Sequence, residues 1–588
     1  MQYLCPFLHP KFINNPNCPI FITGIIVYMD NKELAARFKL LADLIELTGG
    51  NDFKAKAYQS AAFKLSKWPA DIFALPEAEI DSIQGIGAGI LTKIREIKQT
   101  GSIAELDALL EQVPAGVVEM LSIKGIGAKK VRLIWQELEI ETVGELLYAC
   151  HENRLAKLKG FGEKTQAEVV KSIEFRQANV GRLKYYKAEA IANTFLDAFS
   201  IALEGRRVEV TGEVRRKMEV VDVIEWIAED SAEDILVALL SATEGVMFVE
   251  SDGDAITFKL NQAYNCKIHL APIEEFTYRW WVTTGSAHHI NLVGYTGEET
   301  IETEEEIYES RGLNYIAPEL REGRDEVELA ATIEVSEELL EYDDIKGMLH
   351  NHSTYSDGLH SLRDMAVYCK EQGWEYLGIC DHSQTAVYAG GLKPERIIEQ
   401  HAEIDKLNAE LAPFKILKGI ESDILGDGSL DYTDEVLSSF DFVVASIHQG
   451  FKMSAEQATA RLIKAIENPH TTILGHPTGR LLLSRPGYPV NHEAIIDACA
   501  KHGVVIELNA NPNRLDMDWR WIKYATDKGV MISINPDAHA KEGYHDTYYG
   551  VCAARKGYLQ PNQTFNCFSL IEIEEYLAKR KQHVGTNV

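Results

Sequence analysis

The chain has 588 residues, 46% of them apolar and 25% charged, and its 59 Lys and Arg against 89 Asp and Glu leave a formal net charge of -30. That length allows three or four domains, the apolar content is ordinary for a globular protein, and no stretch reaches membrane-spanning length. The acidic balance excludes a broad basic face for nucleic acid, so any contact with DNA is local, through backbone amides, bound metals or small basic patches. The nine Cys are scattered without a Cys-x-x-Cys pair, which suggests neither a disulfide framework nor a zinc ribbon and points to the cytoplasm.

Residues 1–28 hold an apolar piece but no basic n-region and no small-residue cleavage site, so they make a poor signal peptide. They are expected to be a disordered extension, with Met29 the natural start. Residues 29–178 read as all-helical, opening with the amphipathic MDNKELAARFKLLADLIEL, for which Asn31 is available as a cap. Inside them lie three similar hairpins, IQGIGAGILTKI, IKGIGAKKVRLI and LKGFGEKTQAEV. Their glycine pairs are Gly85 and Gly87, Gly125 and Gly127, and Gly160 and Gly162. Such glycines permit a tight turn that leaves amides exposed at a helix N-terminus, a natural phosphate seat. Three copies with one apolar frame resemble helix-hairpin-helix motifs, which grip the DNA backbone without reading sequence.

FKAKAYQSAAFKLSKWP is similar to the N-terminal region of family X DNA polymerases. The resemblance implies a lyase-like domain over 29–105 and a fingers-like region over 106–178. It implies that Lys54 and Tyr58 face a 5′-phosphate and that Lys93 lies at the place of the family's Schiff-base lysine. A lysine in that role must be partly neutral, through burial or a cationic neighbour. Gly89 stands where the animal members carry a second lysine, so the phosphate pocket is thinner.

Residues 179–335 resemble the palm and thumb of the same family, which needs three carboxylates to hold two magnesium ions. In VEVTGEVRRKMEVVDVIEWIA, Gly212, Arg215 and Arg216 keep the family's frame, but Glu213 replaces its Ser. The first two Asp positions then fall on Val223 and Glu225. Asp222 is out of register by one, which in a strand turns a side chain to the other face. Counting back from Glu274, Glu275 and Phe276 puts Lys267 at the third Asp position, while Thr284, Gly285 and Ser286 keep the later turn. The expectation is a polymerase scaffold whose metal site is gone.

From Asp343 onward, short apolar runs alternate with stretches of helical period, and almost every run ends in His, Asp or Glu. In order the runs carry His350 and His352 with Asp357, then His382, Glu421, His448, His476, the exception Asn509, and Asp537 with His539. Short apolar runs read as buried parallel strands, and chemistry at their C-terminal ends points to an α/β barrel with one mouth. Imidazole and carboxylate together suit zinc, manganese or iron. HNHSTYSDG, CDHS, GIESDI, SIHQ, GHPTGR and NPDAH resemble the motifs of PHP (polymerase and histidinol phosphatase) domains. The resemblance implies a metal pair held by His350, His352, Glu421, Asp537, His448 and His476, with Glu421 bridging. It implies a third ion on Asp357, His382 and His539, and Glu421, His448 and Asp537 as candidate catalytic groups. Arg480, Arg485 and Arg514 follow strand ends and are candidates for phosphate or for surface ion pairs.

The whole resembles a bacterial family X DNA polymerase fused to a PHP domain. The implied fold is multidomain, with an all-α helix-hairpin-helix region, an α+β nucleotidyltransferase-like palm and a PHP barrel of about seven strands over 340–588. The implied cofactors are three divalent ions, manganese first and zinc or iron as alternatives. The implied partner is gapped, nicked or 3′-ended DNA, with no membrane and a monomeric state. The favoured function is 3′-5′ exonuclease or 3′-end and abasic-site processing in repair. Three alternatives stay open: a gap-filling polymerase with PHP proofreading, a small-molecule phosphatase like histidinol phosphatase, and a non-catalytic DNA scaffold.

Overall fold

The computed structural model describes residues 31–586, apart from 69–71, 74, 77–78, 81–82, 84–85 and 298–300. The extension expected over residues 1–28, and Gly85, lie outside the described residues.

The first region is helical. Asn31–Leu47 packs along Asp52–Ser66, whose first amides, Phe53 and Lys54, donate to the Asn51 side chain. Asn31 is the first residue of its helix, and its side chain also ties to the Trp68 carbonyl and the Ile72 amide. One apolar core runs from Leu34 to Ile173, so the lyase-like and fingers-like stretches share it.

Two small strands, β1 (Leu183–Lys184) and β3 (Val220–Val221), pair antiparallel beside the palm sheet. That sheet holds β2 (Val208–Thr211), β4 (Val223–Glu229), β5 (Val246–Ser251), β6 (Ala255–Leu260) and β7 (Tyr264–Ala271) in the order β2-β4-β7-β6-β5. Trp226 is wholly buried among Phe195, Phe199 and Phe258, which fastens the sheet to helix Tyr185–Ala202. Residues between Trp281 and Leu339 form a separate small core.

The last region is a seven-stranded parallel sheet. Its strands are β8 (Gly347–Met348), β9 (Tyr376–Ile379), β10 (Lys415–Asp423), β11 (Phe442–Ser446), β12 (Ile473–Leu474), β13 (Val505–Asn509) and β14 (Ile532–Asn535), paired in sequence order. Every residue of β9, β11, β13 and β14 is buried, which is why these strands read as unbroken runs. A parallel bridge between Asn351 and Ala538 joins the ends of β8 and β14, so the sheet nearly closes into a barrel. The barrel docks onto the palm through Lys556, whose buried amine donates to the Arg216 and Glu319 carbonyls at 2.8 and 2.9 Å and to Glu322 at 2.6 Å.

Candidate functional site

All nine sequence-predicted ligands meet at the C-terminal mouth of the barrel. Glu421, two residues before the end of β10, is the centre of the cluster. Its Oε1 lies 3.1 Å from both His448 Nε2 and His476 Nε2 and 3.2 Å from His350 Nε2, and its Oε2 lies 2.9 Å from His382 Nδ1. His352 Nε2 is 3.1 Å from Asp537 Oδ1, and Asp357 Oδ1 is 3.3 Å from His539 Nε2. Three sets have ligand atoms within 4.8 Å of one another: His350, His352 and Asp537; His382, Glu421 and His448; and His352, Asp357, His382 and His539. The last contains the expected third-ion trio and adds His352. His350 and Asp537 both have positive φ, at 56° and 52°. Such backbone strain in non-glycine residues is held where the surrounding fold fixes a side chain for function.

Strong fields act on these groups. Burial opposes charge on His448, but Glu421 and Asp423 raise it to about 10. Burial likewise opposes charge on His539, and Asp357 and Asp537 raise it to about 9. Burial, with His539 and His382 beside it, drives His352 down to about 3. Burial works against an ionised Glu421, yet His448, His350 and His382 hold its carboxyl well below the usual range.

The donor set fits divalent cations. His350 Nε2, Asp357 Oδ1, His382 Nδ1 and Glu421 Oε2 are buried without a hydrogen-bond partner. Orphaned polar atoms are costly in a folded interior unless an ion or ordered water meets them. The His352 ring also sits 4.4 Å from that of His382 and 4.2 Å from that of His539, a crowding of imidazoles that a shared cation rationalises.

The hairpins keep open seats. Gly87, Gly127 and Gly162 are the N-caps of helices Ala88–Thr100, Ala128–Leu138 and Glu163–Gln177, each extended and without a side-chain cap. A Cβ at any of the three would meet nothing within 4 Å. Gly125 and Gly160 turn the chain at φ of +99° and +90°, where a side chain would be strained. The lyase candidates converge on a carboxylate instead of an open pocket. Lys54 Nζ pairs with Glu105 at 2.5 Å, the Tyr58 hydroxyl lies 3.4 Å from it, and Lys93 pairs with Glu96 at 2.9 Å and stands 4.0 Å from Glu105. A 5′-phosphate at this place would meet the like charge of Glu105.

In the palm, Glu225 faces Lys267 across the β4–β7 pairing, and Val223 faces Asn265. Glu225 Oε1 bonds His269 at 2.9 Å, Asp222 pairs with Arg182, and Glu213 accepts from the Asp222 amide at 2.6 Å. Arg215 makes a bidentate pair with Glu304 at 2.7 and 2.8 Å, stacked over Trp280. Arg321, fully buried, grips the same carboxylate at 2.8 and 2.9 Å.

Comparison with known proteins now joins this geometry. Residues 29–103 match the helix-hairpin-helix domain, residues 117–174 the SAM-like helix-hairpin-helix tandem, and residues 348–511 the PHP domain. The DNA polymerase/3′-5′ exonuclease PolX of Bacillus subtilis (strain 168) is 35% identical over 574 residues, covering 94% of this chain and 100% of the relative. The chain belongs to the PolX family. Over the barrel alone, a probable phosphatase of Thermoanaerobacter sp. (strain X514) is 26% identical across 247 residues, 40% of this chain and 96% of the relative. A probable phosphatase of Acetivibrio thermocellus is 25% identical across 246 residues, 40% of this chain and 96% of its own.

Within this PolX-family barrel the three arginines separate. Arg480 is engaged by an ion pair with Asp518 at 3.0 Å and by the Arg514 carbonyl at 3.1 Å. Arg485 donates twice to the Gly479 carbonyl and lies over Phe451 at 4.4 Å, again a structural role. Arg514 differs. Its Nη1 is buried without a hydrogen bond, 4.0 Å from Asp537 Oδ2, and aims at the cluster. Two carboxylates escaped the sequence reading. Glu507 accepts from His350 Nδ1 at 2.5 Å and from the His476 amide at 3.1 Å, and Asp423 lies 2.5 Å from His448 Nδ1. Such partners fix the tautomer and angle of a ligating imidazole. Asn509, which ends β13, bonds Glu507 and Asp537 at 3.1 Å each and so supports the cluster from outside. Among the described residues, no helix is long and apolar enough to cross a membrane.

Proposed function

We propose that this protein is a metal-dependent phosphodiesterase that shortens DNA 3′ ends in repair, and that its polymerase site is inactive. The observation that carries the reading is the convergence of nine imidazoles and carboxylates on one barrel mouth, five of them buried, with partnerless polar atoms on His350, His352, Asp357, His382, Glu421 and His476. His350, His352, Glu421, Asp537, His448 and His476 would hold one metal pair, and Asp357, His382 and His539 a third ion, with manganese the first choice. When bound, such ions lower the pKa of water and neutralise charge on a phosphoryl group. The protein's own groups do the placing. Glu507 and Asp423 hold His350 and His448 in one orientation. Arg514 would meet a non-bridging phosphate oxygen. The hairpin amides would seat the duplex backbone.

Loss of polymerase activity is supported by where the palm's charges go. Asp222 and Glu225 have separate partners, Lys267 adds a cation beside Glu225, and Arg215 is neutralised by Glu304. Lys93 is given no lyase role, because its amine lies between the carboxylates of Glu96 and Glu105, at 2.9 and 4.0 Å.

The test is a 5′-labelled primer on a gapped template with manganese, with and without the four dNTPs, run for wild type and for a His350→Ala, Asp537→Ala double variant. Shortening that vanishes in the variant, with extension by neither protein, is the expected result. Extension by the variant would overturn the account of the palm. The barrel-only relatives favour one second reading, a small-molecule phosphatase. Release of phosphate from histidinol phosphate, with no shortening of any DNA, would select it.

A further inference from the structure

The loop from Ser383 to Leu392 lies along one side of the ligand cluster and is clamped at both ends. The Thr385 hydroxyl sits 2.7 Å from Asp423 and 2.9 Å from Asp431, and the Gln384 side-chain Nε2 donates to the Asp431 carbonyl at 2.7 Å. At the other end the Leu392 amide donates to the His382 carbonyl at 2.8 Å, and a Cβ on Gly391 would come within 1.9 Å of the Ser383 carbonyl oxygen. The tip between these clamps stands in water, with Val387 81% and Tyr388 65% exposed. The Tyr388 ring lies 6.2 Å from that of His382, inclined by 55°. Its phenol is close enough to feel Asp423, Glu421 and Asp357, and Arg514 as well. A scattered exposed aromatic calls for no explanation. An exposed ring on a loop clamped at both ends beside a candidate phosphodiester site is different, because an aromatic offers a large contact area with few rotatable bonds to order.

We propose that Tyr388 is the stacking platform for the base of the 3′-terminal nucleotide. The proposal rests on the nuclease reading above and names the part of the substrate that reading leaves open. With the terminal phosphodiester between the ligand cluster and Arg514, the attached nucleoside extends toward the rim where Tyr388 stands. Stacking on an aromatic ring is tolerant of base identity, since every base has a π-face, as an exonuclease requires. A paired terminal base is already stacked in its duplex and must first pay to unpair before it reaches the ring. A small phosphomonoester without a base would leave the platform unused.

The experiment uses the full-length protein with manganese and two 5′-labelled single-stranded oligonucleotides. They are identical except that one ends in a normal nucleotide and the other in a tetrahydrofuran abasic residue. Wild type is expected to show a KM at least tenfold lower for the base-bearing end, a difference of about 1.4 kcal/mol. Tyr388→Ala should erase that difference by raising the KM for the base-bearing end, with kcat on the abasic end unchanged. Tyr388→Phe should behave as wild type. Equal KM values in wild type overturn the proposal, and so does Tyr388→Ala slowing both substrates alike. Tyr388→Phe matching Tyr388→Ala overturns it too, because the hydroxyl and not the ring would then matter. Cleavage of neither substrate by wild type sinks the nuclease reading itself, and the platform with it.

Discussion

The palm and the barrel are both rich in carboxylates, yet among the described residues only the barrel gathers His, Asp and Glu side chains closely enough to hold an ion. In the palm the acidic groups around the family's metal positions have partners from the chain: Asp222 has Arg182, Glu225 has His269, and Glu304 has Arg215 and Arg321. In the barrel the carboxylates converge on imidazoles that the fold leaves short of donors and acceptors, and several polar atoms end with no bond at all. Counting acidic residues would not separate the two. The separation lies in whether the charges are met from within. A charge met from within contributes to stability, and a charge left unmet stays available to an ion or a substrate.

The sharpest way to break this comparison is to remove a charge on the palm side. Glu304→Gln leaves the fully buried Arg321 half paired, and loss of one partner from a buried ion pair costs about 3–5 kcal/mol. Denaturant unfolding should report a loss of that size, with exonuclease kcat at permissive temperature unchanged. The same pair sets an acid limit. Burial opposes ionisation of Glu304, but Arg321 and Arg215 lower its carboxyl from 4.5 to about 2. A depressed carboxylate contributes stability that is present above its unfolded value and is lost as pH falls. Wild type should therefore lose about 3 kcal/mol between pH 4.5 and pH 2 that Glu304→Gln does not lose. If the variant unfolds like wild type across that window, the palm charges are not structural.

The next largest effect belongs to the barrel and runs the other way. Asp423→Asn keeps the shape of a side chain that orients His448 but removes its charge. Outer partners of this kind change metal affinity or activity by roughly 10–100-fold. Manganese titration should show a weakening of that size with little change in melting temperature of the metal-free protein. A variant that melts early but binds metal normally would place Asp423 with the structural charges of the palm and erase the distinction between the two regions.

What was legible in the sequence follows the same line. His448 and His476 each end an apolar run, so their position at strand ends could be read directly, while Glu421, inside its strand, was reached through the GIESDI motif. Glu507 could not, because VVIELNA reads as one buried strand and the carboxylate sits inside it. Asp423 was within reach: it stands two residues after Glu421, and in a strand that spacing puts both on one face. The helix-hairpin-helix turns were visible through their glycines, whereas the continuity of the core from Leu34 to Ile173 was not. Helical period shows which face of each helix is apolar, but not which helices share a core. The fate of Arg480 and Arg485 was likewise invisible, since a basic residue after a strand end can turn to a neighbouring carbonyl as readily as to a phosphate.

The smallest effect concerns how DNA is held while the barrel acts, and it isolates grip from both stability and metal binding. Gly127 is an extended N-cap with open space where a side chain would stand. Serine is at least as good a cap as glycine, because its hydroxyl accepts from an amide of the first turn. That amide is one that a backbone phosphate would otherwise take. Gly127→Ser should thus leave the protein as stable as before, or slightly more so, while weakening affinity for gapped DNA by about 1 kcal/mol, the net worth of one hydrogen bond. Metal affinity and cleavage of a saturating short oligonucleotide should not move. Unchanged affinity for gapped DNA would mean that the second hairpin is only a turn between helices, and the grip would have to be sought at Gly87 and Gly162.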